Sequence, residues 1–81
     1  MTGSRRLRAG VIGLGVGEKH VEGYLMHGQC DVAAVCDLDV GRAEAVAARQ
    51  GVSQWTTDPM VVLTDPDIDV VSICKIGRAH V

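Results

Sequence analysis

The chain has 81 residues, 47% of them hydrophobic, with a net charge of −2. That composition excludes a disordered polar segment, and a length of one small domain buries only about 60% of the unfolded surface, so folding is expected to be marginal. All ten acids lie between Glu18 and Asp69, with only Lys19, Arg42 and Arg49 to balance them there, a net charge of −7. An acidic body with Tyr24 and Trp55 as its only aromatics is unsuited to a phosphate backbone or to base stacking, so nucleic acid is not an expected partner.

The first eight residues contain no apolar leader, and no apolar run approaches membrane-spanning length, so no membrane partner is expected. Residues 1–7 are expected to form a flexible N-terminal tail, and Arg5, Arg6 and Arg8 at the front of the chain read as solvated. Cys30, Cys36 and Cys74 are odd in number and show neither CxxC nor Cys/His spacing, which points to a reducing, cytoplasmic setting without disulfides or a metal.

The run LRAGVIGL predicts a first strand from about Arg8 to Gly13, and the alternating Gly13, Gly15 and Gly17 a turn. A helical period follows from about Gly17 to His27, with His20 or Val21, Tyr24 or Leu25, and Met26 on one side. Gly28 is expected to end that helix in the left-handed conformation. Asp31 to Asp37 reads as a buried second strand. Asp39 is expected to cap a helix over Val40–Gln50 that turns Ala43, Val46 and Ala47 inward and closes at Gly51. Ser53 to Thr56 reads as a short third strand, and Asp58-Pro59 opens a short helix through Leu63. Asp65-Pro66-Asp67 is a turn, and Asp69 to Cys74 a fourth buried strand, which would place both Cys36 and Cys74 in the interior. The fold class expected is α/β: a β-α-β-α-β-α-β partial Rossmann fold with a parallel sheet, incomplete on its C-terminal side, over residues 8–74.

Binding a pyrophosphate at a strand-to-helix turn needs a tight turn, close backbone approach, and the free amides and positive dipole of a helix N-terminus. Gly13 suits the turn and Gly15 the approach. Asp37, 24 residues after Gly13, stands where a carboxylate holds the ribose hydroxyls. One position departs from G-x-G-x-x-G: the third glycine's place is taken by Glu18, with Gly17 one residue early. Either the loop is one residue short, or Gly17 takes over the close packing of helix on strand; Glu18 is tolerable beside a pyrophosphate only if its side chain points away. Asp37 and Asp39 also suit plain capping roles. His20 reads as a packing or capping residue, His27 as an exposed residue near a helix C-terminus, and Ser72 as a strand residue without a base.

The segments RAGVIGLGVGEKHVEGY, DVAAVCDLDVGRAEAVAARQG and TDPMVVLTDPDIDVVSIC together resemble the N-terminal domain of the Gfo/Idh/MocA family of NAD(P)-dependent oxidoreductases, from about Arg8 to Cys74. The resemblance implies that the loop Gly13, Leu14, Gly15, Val16 and Gly17 lies against the pyrophosphate. It also implies that Asp37 holds the adenosine ribose, and that Leu38 and Arg42 lie near the adenine. Asp37 at that place favours NAD over NADP as cofactor, because a carboxylate repels a 2′-phosphate, with Arg42 the one nearby residue that could soften the preference. The intact parent is then an oxidoreductase, homo-oligomeric, acting by hydride transfer on a sugar, cyclitol or related small-molecule hydroxyl or carbonyl substrate. The alternative is a non-catalytic dinucleotide-sensing module of a regulatory protein. No catalytic residue is assigned: the family's later catalytic strand and substrate domain have no counterpart here, and these residues alone are expected to be inactive. Ile76–Val81 resembles the in-frame translation of a sequencing adapter, so residues 75–81 are expected to be a non-native tail.

Overall fold

A computed structural model describes residues 6–74; the expected tail at 75–81 and most of the N-terminal tail lie outside them. The elements are β1 (Leu7–Ile12), α1 (Leu14–Met26), β2 (Cys30–Cys36), α2 (Val40–Gln50), β3 (Trp55–Thr56), α3 (Pro59–Leu63) and β4 (Val70–Ile73). The strands pair in parallel in the order β3-β2-β1-β4, the opening half of the doubly wound order. This is the partial Rossmann fold that the sequence predicts. Chain order reverses between β1 and β4, and in such sheets ligands bind outside the carboxyl ends of the strands at that point.

Alternation along β1 and β2 divides the core into two. Val11 and Val35 face α1 and α2, where they meet Leu14, Val21, Ala43, Val46, Ala47 and Val52. Ile12, Ala34 and Cys36 face the other way and meet Val62 of α3, with Ile68 and Val71 alongside. Gly10 permits this second contact, since a Cβ there would lie 2.5 Å from a methyl of Val62. The β1–β2 register also shifts between Ala9 and Gly10.

The helix α2 has the predicted caps. Asp39 accepts from the Arg42 amide, and Gly51 closes the helix at φ 73°. Asp58 likewise caps α3 through the Met60 amide. Several expectations are corrected. The helix α1 begins at Leu14, not Gly17, because of Gly13, Gly15 and Gly17 only Gly13 takes a positive φ and the chain turns there in a single residue. Gly28 is not left-handed; His27 leaves α1 in extended conformation, its amide returning to the carbonyls of Gly23 and Tyr24. Val21 and Tyr24, rather than His20 and Leu25, face the core, and Met26 is 86% exposed. The third strand is two residues long. Strand β4 is not buried: it is the sheet's edge, Ile73 is 67% exposed, and Cys74 follows the strand, half-buried.

The first strand begins at Leu7, and Arg6 and Arg8 are not merely solvated. Arg6 donates to the Asp31 carboxylate and to the carbonyls of Gly28 and Cys30. Arg8 donates to the Asp67 carbonyl, and its amide to the Asp69 carboxylate. Both tie β1 to its neighbours across sequence separations that no local pattern reveals.

Candidate dinucleotide site

The turn after β1 is fixed by its surroundings. The Gly13 amide donates to the Cys36 carbonyl at 2.8 Å. At φ 89° Gly13 is left-handed, and a Cβ there would lie 2.6 Å from the Cys74 carbonyl oxygen, so only glycine fits. The first four amides of a helix have no partner within it. Here Gly13 donates to the Cys36 carbonyl and Leu14 to Asp37 Oδ2 at 2.8 Å, and the helical ladder starts with Gly17 donating to the Gly13 carbonyl at 3.0 Å. The amides of Gly15 and Val16 find no acceptor among the described residues, and both residues are exposed. Two open donors at the positive end of a 13-residue helix form a cradle for an anion.

Asp37 is the one buried charged residue among those described, 2% exposed. A buried carboxylate is costly unless hydrogen-bonded. Asp37 accepts from the Leu14 amide through one oxygen and from the Asp39 amide, at 2.9 Å, through the other. Arg42 Nη1 lies 3.7 Å from the same carboxylate and 3.5 Å from where a Cβ on Gly15 would stand. Leu38, between the two aspartates, is 63% exposed. The fold thus brings Gly13, Leu14, Gly15, Val16, Asp37, Leu38 and Arg42 to the carboxyl ends of β1 and β2. Gly17 sits apart from the open amides, on the buried side of α1. A Cβ there would lie 3.1 Å from a Val11 methyl and 3.3 Å from Cys74 Sγ, the close helix-on-strand packing weighed as its second role.

Glu18 points away. Arg49 of α2 grips it with Nε and Nη2, each at 2.8 Å, and Gln50 Nε2 donates to it at 2.9 Å. These hydrogen bonds, from Arg49 first and then Gln50, hold its carboxyl at about 2, below the ordinary 4.5. The pairing spans 31 residues, and the only signal of it in the sequence is that Glu18 needs a partner. The passage of Cys74 over Gly13 is also a purely three-dimensional fact.

His20 is exposed on α1, beyond the reach of a cap, and borders an open groove with Leu7, Tyr24 and Val70. His27 is exposed, its Nδ1 accepting from the Gln29 amide at 3.3 Å. Ser72 shares a hydrogen bond with the Tyr24 hydroxyl at 2.7 Å. Burial, then the charges of Asp37 and Asp58, push the Cys36 thiol up, which makes it a packing group rather than a nucleophile. No cluster of metal-binding side chains occurs among the described residues. Nor is any of their helices long and apolar enough to cross a membrane.

Residues 7–81 match the Gfo/Idh/MocA family, described as an oxidoreductase family with an NAD-binding Rossmann fold. The scyllo-inositol 2-dehydrogenase (NAD(+)) of Bacillus subtilis (strain 168) is 41% identical over 77 residues, 93% of this chain and 22% of that protein. The D-glucoside 3-dehydrogenase of Escherichia coli (strain K12) is 35% identical over 79 residues, 95% of this chain and 22% of that protein. Among solved structures, myo-inositol dehydrogenase from Lactobacillus casei, in complex with NAD(H) and myo-inositol, superposes with a TM-score of 0.80 at 33% identity. That match covers 93% of this chain and 23% of the other. The chain therefore spans a little over a fifth of the length of these relatives.

Proposed function

The chain belongs to the Gfo/Idh/MocA family of oxidoreductases as its NAD-binding Rossmann portion, and from that we propose that the whole protein is an NAD-dependent dehydrogenase of a cyclitol or sugar. Bound NAD supplies the hydride acceptor. The residues here bind and orient it: the Gly15 and Val16 amides receive the pyrophosphate, Asp37 the adenosine ribose, and Leu38 and Arg42 flank the adenine side. The observation that carries this reading is the pair of open amides at the start of α1, beside a carboxylate already locked by the Leu14 and Asp39 amides. Each Asp37 oxygen retains a lone pair after accepting one amide, so ribose hydroxyls can be held without releasing the turn.

The relatives that act on inositols and a glucoside support a polyhydroxylated ring as substrate, and favour the dehydrogenase over a sensing module. A cytoplasmic location and a homo-oligomeric assembly of the whole protein belong to the same proposal. Titrating NAD and NADP into the full-length protein tests it. NAD should bind at least about tenfold tighter, because Asp37 repels a 2′-phosphate, and Gly15→Ala should weaken both by blocking the backbone's approach. Equal or tighter binding of NADP overturns the role of Asp37; no binding of either overturns the proposal.

A further inference from the structure

Glu18 stands one turn into α1, where a negative charge opposes an anion held at the helix start. Its neighbourhood is arranged against that opposition. Arg49 donates through two nitrogens, each at 2.8 Å, to the two carboxylate oxygens, the bidentate geometry in which an arginine holds a carboxylate most firmly. Gln50 reinforces it at 2.9 Å and spans to Glu22, one turn further along α1, at 3.3 Å. Arg49 in turn lies in the last turn of α2, where that helix's dipole favours a cation. The carboxylate is thus both neutralised and turned from the open amides of Gly15 and Val16 towards the far end of the neighbouring helix.

We propose that Arg49 and Gln50 are positioning residues for the dinucleotide site: by restraining Glu18 they preserve the positive potential at the start of α1 on which pyrophosphate binding depends. This rests on the dinucleotide reading above and adds a determinant of affinity at the C-terminal end of α2, away from the open amides. The triad does more than dock α1 on α2. Docking alone requires no charge, whereas a carboxylate at this position without its cation adds a negative charge to the anion site.

The test is a cycle of Arg49→Gln, Glu18→Gln and the double variant in the full-length protein, titrated with NAD, ADP-ribose and adenosine. Arg49→Gln should weaken NAD and ADP-ribose about threefold at low salt, the size expected of one screened charge at about 10 Å. It should leave adenosine, which has no phosphate, unchanged. Glu18→Gln added to Arg49→Gln should restore the wild-type affinity, and raising the salt to about 0.5 M should erase the difference. Thermal unfolding of each variant separates loss of fold from loss of affinity. Equal weakening of all three ligands, or failure of Glu18→Gln to restore binding in a folded double variant, overturns the inference while leaving the dinucleotide reading intact. A wild-type protein that binds neither NAD nor ADP-ribose overturns both.

Discussion

On one face of the sheet, α1 and α2 cover β1 and β2, contributing five buried side chains, Leu14, Val21, Ala43, Val46 and Ala47, to one cluster. On the other, α3 is five residues long and contributes a single buried side chain, Val62, while Met60, Val61 and Leu63 stay exposed. Strand β4 lies at the sheet's edge on β1, with Val70 and Ile73 uncovered. Every group that forms the candidate site, from Gly13 to Arg42, is mounted on β1, α1, β2 and α2. Among the described residues the thin side meets the site at Cys74, whose backbone passes over Gly13. The candidate site is thus held by the well-packed face, and perturbing the exposed edge is expected to affect it little.

The sharpest way to break this division is at Gly13, where Cys74 passes over the candidate site. Gly13→Ala forces a Cβ onto a left-handed backbone and to within 2.6 Å of the Cys74 carbonyl oxygen. It should cost at least about 3 kcal/mol and abolish NAD binding. Gly51→Ala is the control: φ is also positive, at 73°, but nothing lies within 4 Å of the added Cβ, so about 1 kcal/mol and unchanged affinity are expected. Urea unfolding and NAD titration read both. Similar losses in the two variants would mean that backbone conformation alone, and not the approach of the edge, constrains the turn.

Truncations on the two sides give the next largest contrast. Val46 is 1% exposed within the α1–α2 core, and Val46→Ala should cost about 2 kcal/mol through lost burial and the cavity left behind. Ile73 on the edge is 67% exposed, and Ile73→Ala should change stability by less than about 0.5 kcal/mol. Denaturant midpoints compare them directly. An Ile73 variant as damaged as the Val46 variant would show that the edge is covered in solution.

How much of this was legible in the sequence follows the range of the interactions. Where the determinant is local, the reading holds: Asp39 and Gly51 delimit α2, Asp58-Pro59 opens α3, and Ala43, Val46 and Ala47 face inward. The places of Gly13 in the turn after β1 and of Asp37 at the tip of β2 hold for the same reason, since a strand, a turn and the next strand follow at regular spacing. The start of α1 was misread because alternating glycines suggest a turn throughout, whereas Gly15 and Gly17 are helical and Gly17 serves packing. Gly28 followed a helix end without taking the left-handed conformation, because His27 had already left the helix. The partners of Glu18, Arg6 and Arg8 lie 22 to 61 residues away, and no periodicity encodes them. Nor does an apolar run distinguish a buried strand from the edge strand β4, since both read as Val and Ile in succession.

The smallest expected effect concerns acid, and it again separates the two regions, because Glu18 ties α1 to α2 and has no part in the edge. Its carboxyl titrates at about 2 in the folded chain against an ordinary 4.5, so the folded state favours the charged form. A depressed value means that the unfolded chain binds a proton first as pH falls. The stabilising contribution is therefore fully present above about pH 4.5 and drains away between there and about pH 2. Arg49 keeps its proton throughout this window, so the loss is carried by Glu18 alone. Arg49 is more than half exposed and Glu18 about a fifth, and a pair so open to solvent on one side contributes little. At neutral pH, Glu18→Gln should lower the melting temperature by only about 2 °C. That gap should narrow steadily below pH 4.5 and close near pH 2, while the difference between wild type and the Ile73→Ala edge variant stays constant over the same range. Melting curves of the three proteins at half-unit pH steps provide the measurement. A gap for Glu18→Gln that does not depend on pH would mean that the residue contributes through packing and not through its charge.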